Sequence, residues 1–273
     1  RLFRKIKSKS LFSDITLICY LRRIDHWLES AWKQWGLKTY DSFNDYYENP
    51  NFYNRFDLIF NKLNLWEHVT DLENINVRPY EKCQLENGLI DDFLSYLGIN
   101  FRLHEWNETE NLNFATNYGF DRDVLEILHL CRPLYTDKHD NRYFDLFSKL
   151  LGDQFQKKPF DSYKLLSPSQ RYRIIIDNLP FERKIAKKFL GKEKGGIFQE
   201  PLPDPNEDWE NYKGIDLDRI IPIFVNFIYK NNQLIEELKE RLSDLENKKY
   251  QASKPSLFKK IKRVSIYQKF LEI

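Results

Sequence analysis

The sequence predicts an α/β domain followed by a helical tail. Three observations carry that reading. A short apolar run, Ile15-Thr16-Leu17-Ile18-Cys19-Tyr20-Leu21, leads straight into a helical pattern. A second alternating segment, Asn74-Ile75-Asn76-Val77-Arg78-Pro79-Tyr80, follows further helical sequence. Beyond residue 214, apolar residues recur in alternating three- and four-residue steps. The 273 residues suit one medium domain with an appendage, and an apolar share of 41% with 16% aromatics is enough for a sizeable core.

In chain order, residues 1–10 are basic and unpatterned. The run 15–21 is rich in β-branched residues and reads as a buried strand, which Arg22 and Arg23 end abruptly. Asp25 opens a helix carrying Trp27, Leu28, Ala31, Trp32 and Trp35, with Gly36 as its expected stop. Residues 39–52 read as loop and short helix, and a helix over Phe56, Ile59, Phe60 and Leu63 should break before Leu65-Trp66. Pro79 sits where a strand tolerates a missing donor, at its end. Further helices are expected over 88–97, closed by Gly98, over 121–134, capped by Asp121, and over 141–151. The helix over 167–190 opens with Ser167-Pro168, and Pro180 should break or kink it. Residues 200–214 carry three prolines and five acidic residues and read as a linker.

Composition excludes some functions. A net charge of +2 argues against a dedicated nucleic-acid binder. Cys19, Cys83 and Cys131 are an odd number, far apart and in apolar stretches, so they read as reduced core thiols of a cytoplasmic protein. No run has the apolar length of a membrane span. The five histidines, His26, His68, His104, His129 and His139, lack metal-ligand spacing, and no metal is expected. The chain has no methionine, which fits a piece of a longer chain or a sequence whose methionines went unrecorded.

The informative stretch is Tyr20-Leu21-Arg22-Arg23-Ile24-Asp25-His26-Trp27-Leu28-Glu29-Ser30. A strand delivers Arg22 at its carboxyl end, and Ser30 follows eight positions later in the next helix. Open α/β sheets bind ligands outside the carboxyl ends of their strands. An arginine there can grip phosphate bidentately, and a serine hydroxyl can add a further bond.

This pattern resembles the 3′-phosphate-binding segment of sulfotransferases that use 3′-phosphoadenosine 5′-phosphosulfate (PAPS). Tyr53 to Trp66, then Asn74 to Glu81, is similar to that family's helix and following strand ending in Tyr-Glu. Leu89 to Gly98 resembles the next helix, which ends in Leu-Gly. Leu166-Ser167-Pro168-Ser169-Gln170-Arg171 and Ile185-Ala186-Lys187-Lys188-Phe189-Leu190-Gly191 resemble the bacterial branch associated with capsule polysaccharides and other glycans. The resemblance covers residues 12 to 204. It implies a P-loop-type fold with a mostly parallel sheet, here N-terminally incomplete. It implies that Arg22 and Ser30, with Arg23 beside them, anchor the donor's 3′-phosphate, and that Tyr80 stacks on or near adenine.

The resemblance also implies a domain over 1–204 without the family's first strand and phosphate loop; the linker over 205–214 and the helical tail over 215–273 lie outside it and are read from composition and periodicity. No glycine precedes Gly36, so no Gly-rich turn precedes the first helix. Either the loop lies upstream of Arg1 or the chain cannot transfer sulfate. The expected activity is therefore sulfuryl transfer from PAPS to a carbohydrate hydroxyl, with the catalytic groups unassigned. The alternative is an inactive binding or assembly module of the same fold. His26 is a candidate base beside the phosphate site, and Trp32, Trp35 and Trp106 are candidate glycan contacts. In the tail, Ile228, Ile235, Leu238, Leu242 and Leu245 form a coiled-coil stripe or the docked face of an amphipathic helix. The stripe makes a homodimer through 228–245 an expectation. The basic ends, Arg1–Lys9 and Phe258–Arg263, offer a weak contact to a membrane surface. Asn107-Glu108-Thr109 is a glycosylation sequon by letter, idle in a cytoplasmic protein.

Overall fold

A computed structural model describes residues 15–85, 87–99, 119–150, 156–157, 164–215 and 217–253. They fall into two units: residues up to 143 together with 156–215, and residues 144–150 together with 217–253. The basic ends, Trp106 and the Asn107 sequon lie outside the described residues.

The first unit is mostly helical around a small parallel sheet. Strand β1, Leu17–Leu21, pairs in parallel with β2, Ile75–Pro79, in a register running from Leu17↔Ile75 to Leu21↔Pro79. The larger parallel sheet expected from the sequence is not present among the described residues. Besides this pair they hold only a short antiparallel pair, β3 (Gly119–Phe120) with β4 (Gln156–Lys157). Parallel strands need a long crossover. Here it contains α1, Ile24–Ala31, a π-helical turn Trp32–Gly36, a closing turn Leu37–Thr39, two short helices, and α2, Arg55–Glu67. Only helices of eight or more residues are numbered.

The faces of the sheet follow from the alternation in β2. Ile75 and Val77 are buried, while Asn76 and Arg78 point the other way into a polar network. Arg78 makes a bidentate pair with Asp92 of α3, Leu89–Tyr96. The Tyr20 hydroxyl donates to the same carboxylate, and Asn76 donates to Tyr96. Burial and then Asp92 push the Tyr20 phenol up to about 12. This network fastens α3 by charge-assisted bonds and not by apolar area, since Leu89, Ile90 and Phe93 are exposed.

The core lies between β1, α1, α2 and α6, Pro168–Leu190. Leu28, Leu37, Leu166, Ile174, Ile185 and Ile197 are completely shielded from solvent. The buried face of α6 reads Arg171, Ile174, Ile175, Asn178, Glu182, Ile185 and Ala186, a helical period. Ser167 and Gln170 form a capping box at its start, and Gly191 ends it in the left-handed conformation, φ 66°. Asn178 ties it to α2, accepting from the Phe56 amide and donating to the Tyr53 carbonyl. Between α3 and α6 lies α4, Arg122–Leu130, capped by Asp121 as expected. The next helix, α5, spans Arg142–Leu150.

Several expectations are corrected. Helix α2 runs unbroken through Leu65-Trp66. Pro180 does not interrupt α6; it sits on the exposed side, where only one backbone bond is lost. Gly36 does not stop its helix, which continues to Thr39. Cys83 is exposed and not a core thiol; Cys19 and Cys131 are half-buried, and all three are free. Part of the expected linker is fastened down: Tyr212 donates to Asp123 of α4 while its ring lies under Arg122.

In the second unit, α7 runs Leu217–Ser253, and Phe227 packs on Phe147 with ring centroids 5.1 Å apart. No helix among the described residues is long and apolar enough to cross a membrane.

Candidate functional site

Because β1 and β2 are parallel, both end on the same side of the molecule. Arg22-Arg23 and Tyr80-Glu81 therefore emerge together. The Tyr80 amide extends the ladder by donating to the Leu21 carbonyl at 2.6 Å. The Arg22 guanidinium carbon then stands 5.7 Å from the centre of the Tyr80 ring, within cation–π range. Of the residues singled out in the sequence, Arg22 and Tyr80 are thus brought together. Ser30 is half-buried on the last turn of α1.

Arg23 is placed differently from its neighbour. It is 3% exposed, and all five of its N–H groups meet protein acceptors. Nε and Nη2 grip the Asp25 carboxylate at 2.8 and 2.9 Å. Nη1 donates to the Glu200 and Pro201 carbonyls, both at 3.1 Å, and Nη2 also donates to the Glu200 carboxylate at 2.8 Å. No donor of Arg23 is left for a ligand. Its role is to clamp the segment around residue 200 onto the start of α1. Asp25 is fully buried; burial opposes its charge, but the Arg23 bonds and the charges of His26, Arg23 and Arg171 hold its carboxyl below the usual range.

Three buried glutamates support this edge. Glu29 accepts from the Leu165 and Leu166 amides at 2.7 and 3.0 Å and from Arg171 at 3.2 Å. Glu81 accepts from the Gln199 and Glu200 amides at 2.9 and 2.8 Å. Glu182 accepts from the Ile197 amide at 2.7 Å. These carboxylates hold the main chain of residues 165–166 and 197–200 against the sheet. Sequence reading did not single them out. Each glutamate meets its amides from more than a dozen residues away, and no local pattern marks such a pair.

His26 lies at the rim. Its Nε2 is 2.8 Å from Glu200 Oε2, and both side chains are partly exposed. A carboxylate so placed orients an imidazole, the arrangement a proton-transfer group needs. His129 instead joins backbone, with Nδ1 2.8 Å from the Leu37 carbonyl and Nε2 3.1 Å from the Asp41 carbonyl. Trp32 is buried against Phe43, Tyr46 and His129, so it belongs to the core and not to a sugar platform.

Charges of both signs meet at this end. Lys33 follows Ser30 by one helical turn. Burial lowers its ammonium to about 8, and Arg22, Arg122 and Arg171 push the same way, with Glu29 alone opposing. Burial likewise lowers the Arg22 guanidinium, against the pull of Tyr80, Glu29, Asp25 and Glu200. Cations and carboxylates thus meet in one partly desolvated region, with Asp25, Glu29 and Glu200 set among Arg22, Arg23, Lys33 and Arg171. An arginine there can still grip a phosphate group. A separate depression of about 380 Å³ lies along β2, lined by Arg78, Gln84, Asp92, Phe189 and Lys192 among others. Arg78 and Asp92 neutralise each other there.

The chain matches no family model, no curated protein and no solved structure.

Proposed function

We propose that this protein is a sulfotransferase-type enzyme that moves a sulfuryl group from PAPS to a carbohydrate hydroxyl. The donor's 3′-phosphate is held at the carboxyl edge of β1 and β2. The observation that carries the proposal is the convergence of Arg22 and Tyr80 beyond the carboxyl ends of two parallel strands. In this reading the Arg22 guanidinium and the Ser30 hydroxyl bind the 3′-phosphate, and the Tyr80 ring flanks the adenine. Arg23 positions the segment around residue 200 and leaves the nucleotide to its neighbour. When bound, the donor supplies the activated sulfuryl group, and the protein supplies position and charge. The carbohydrate acceptor rests on the resemblance of residues 166–171 and 185–191 to the glycan-associated branch.

The exposed apolar stripe Ile228, Ile235, Leu238, Leu242 and Leu245 favours a second reading, a binding or assembly module of the same fold that keeps the nucleotide site without transfer.

Calorimetry with adenosine 3′,5′-bisphosphate tests what the two readings share. Arg22→Ala should weaken binding by about 1.5–3 kcal/mol, the range of a bond to a charged group, and should leave adenosine 5′-monophosphate unaffected. Equal affinity of wild type and variant for the bisphosphate sinks both readings. Labelled sulfate appearing on a glycan acceptor separates enzyme from module.

A further inference from the structure

Along α7 the large apolar residues follow a strict heptad over a longer stretch than the tail stripe first suggests. Over residues 217–245, with Ile235 at position a, the a positions are Ile221, Ile228, Ile235 and Leu242, and the d positions are Leu217, Phe224, Asn231, Leu238 and Leu245; Lys249 at the next a position ends the apolar seam. Eight of these nine are apolar, and every one of those eight is exposed, from 41% at Ile235 to 72% at Leu217. The face that the unit does bury is a different one. Ile223 is 1% exposed and Phe227 meets Phe147, and these occupy c and g. Docking within the unit therefore leaves the a/d seam uncovered, and a seam of this size on a lone chain is a liability.

We infer that α7 is the dimerisation element of the protein, and that its partner is the α7 of a second copy, parallel and in register. Four features select that occupant over others. Ile at three successive a positions with Leu at d is the combination that favours two strands. Asn231, the one polar seam residue between 217 and 245, would meet its own counterpart in a parallel in-register pair, where two amides can bond each other and fix the register. Arg241 at g and Glu246 at the following e are opposite in sign, so each parallel interface carries the attractive pair twice. An antiparallel arrangement would instead face g with g and e with e, where Arg241 and Lys248 repel and Lys239 and Glu246 attract, so it gains no net charge pairing.

The test uses the full chain. Light scattering should give a dimer at tens of micromolar (roughly the range for a four-heptad seam), and Leu238→Asp with Leu242→Asp should give a monomer that keeps its helical circular dichroism. Orientation is read in a Cys83→Ser background by adding Leu238→Cys. A parallel in-register pair places the two new thiols in one layer, so oxidation should yield a covalent dimer within minutes, whereas Glu236→Cys, on the outer face, should not. Arg241→Glu should weaken association about fivefold by turning two attractions into repulsions, and Glu246→Arg in the same chain should restore it. A monomer at every concentration, a trimer or tetramer, or cross-linking that ignores position 238 overturns the inference.

Discussion

Arg22 and Arg23 are adjacent and chemically identical, yet their surroundings differ. Arg23 has its five donors filled and is sealed from solvent. Arg22 is half-buried beside an aromatic ring. Lys33 offers a way to detect a ligand near Arg22 without relying on a binding-site substitution. Its folded value of about 8 lies below its ordinary 10.5, so near pH 8 about half of the Lys33 population is neutral. An anion bound close by favours the charged form and raises that value. Binding of adenosine 3′,5′-bisphosphate at pH 8 should therefore take up to roughly half a proton from solution, falling towards zero at pH 6.5. Calorimetry in buffers of differing ionisation enthalpy reads this uptake. Lys33→Gln should abolish it, and proton release at pH 8 would contradict it.

At the scale of the element, the turn after α1 is the most constrained piece of the fold. Trp32–Gly36 is π-helical, a wider turn that places Gly36 directly against the Trp32 ring. A Cβ at Gly36 would stand 2.5 Å from Trp32 Cε3 and 3.1 Å from Tyr46 Cδ2. Gly36 has φ −60°, so backbone strain is no objection to alanine, and helix propensity alone would favour it by about 1 kcal/mol. Both rings are buried and cannot move aside, so overpacking should win. Gly36→Ala should lower stability by about 1–3 kcal/mol in urea denaturation. A stabilised variant would show that the rings have room. The sequence made Gly36 look like a helix stop because glycine most often serves that role, and the close approach that requires it here involves Tyr46, ten residues on. Caps were readable for the opposite reason. Asp121 and Ser167 each bond an amide three residues away, so the signal and its target share one short window.

Over the whole molecule, what escaped the sequence is long-range and polar. The strand–arginine–helix order was visible in residues 17–30, and so was the second strand. The Arg23–Glu200 pair spans 177 positions, and each glutamate–amide tie links segments that share no periodicity. These ties set the response to acid. The carboxyls of Asp25, Glu81 and Asp92 lie below their ordinary values, so they stabilise the fold fully above about pH 4.5 and lose that contribution as pH falls through their folded values. Glu182 has the opposite sign. Burial raises it in spite of its amide bonds, so the folded state binds its proton first and gains stability as pH falls towards 4.5. Urea midpoints should therefore rise slightly from pH 7 towards pH 5 and drop steeply below pH 4. Glu182→Gln should remove the rise and keep the drop; a rise that survives in the variant assigns it elsewhere. The same ties bear on how such a protein can change over generations. Glu29, Glu81 and Glu182 hold main-chain N–H groups, which every residue except proline possesses. At Gln199, which is exposed, the side chain can therefore be rewritten while the path of the chain stays put, whereas Leu165, Leu166 and Ile197 also fill the core and the Glu200 carboxylate also holds Arg23 and His26. Inheritance can thus vary what this edge shows to solvent at residue 199 without rebuilding the frame beneath it, as long as proline is kept out of residues 165, 166, 197, 199 and 200.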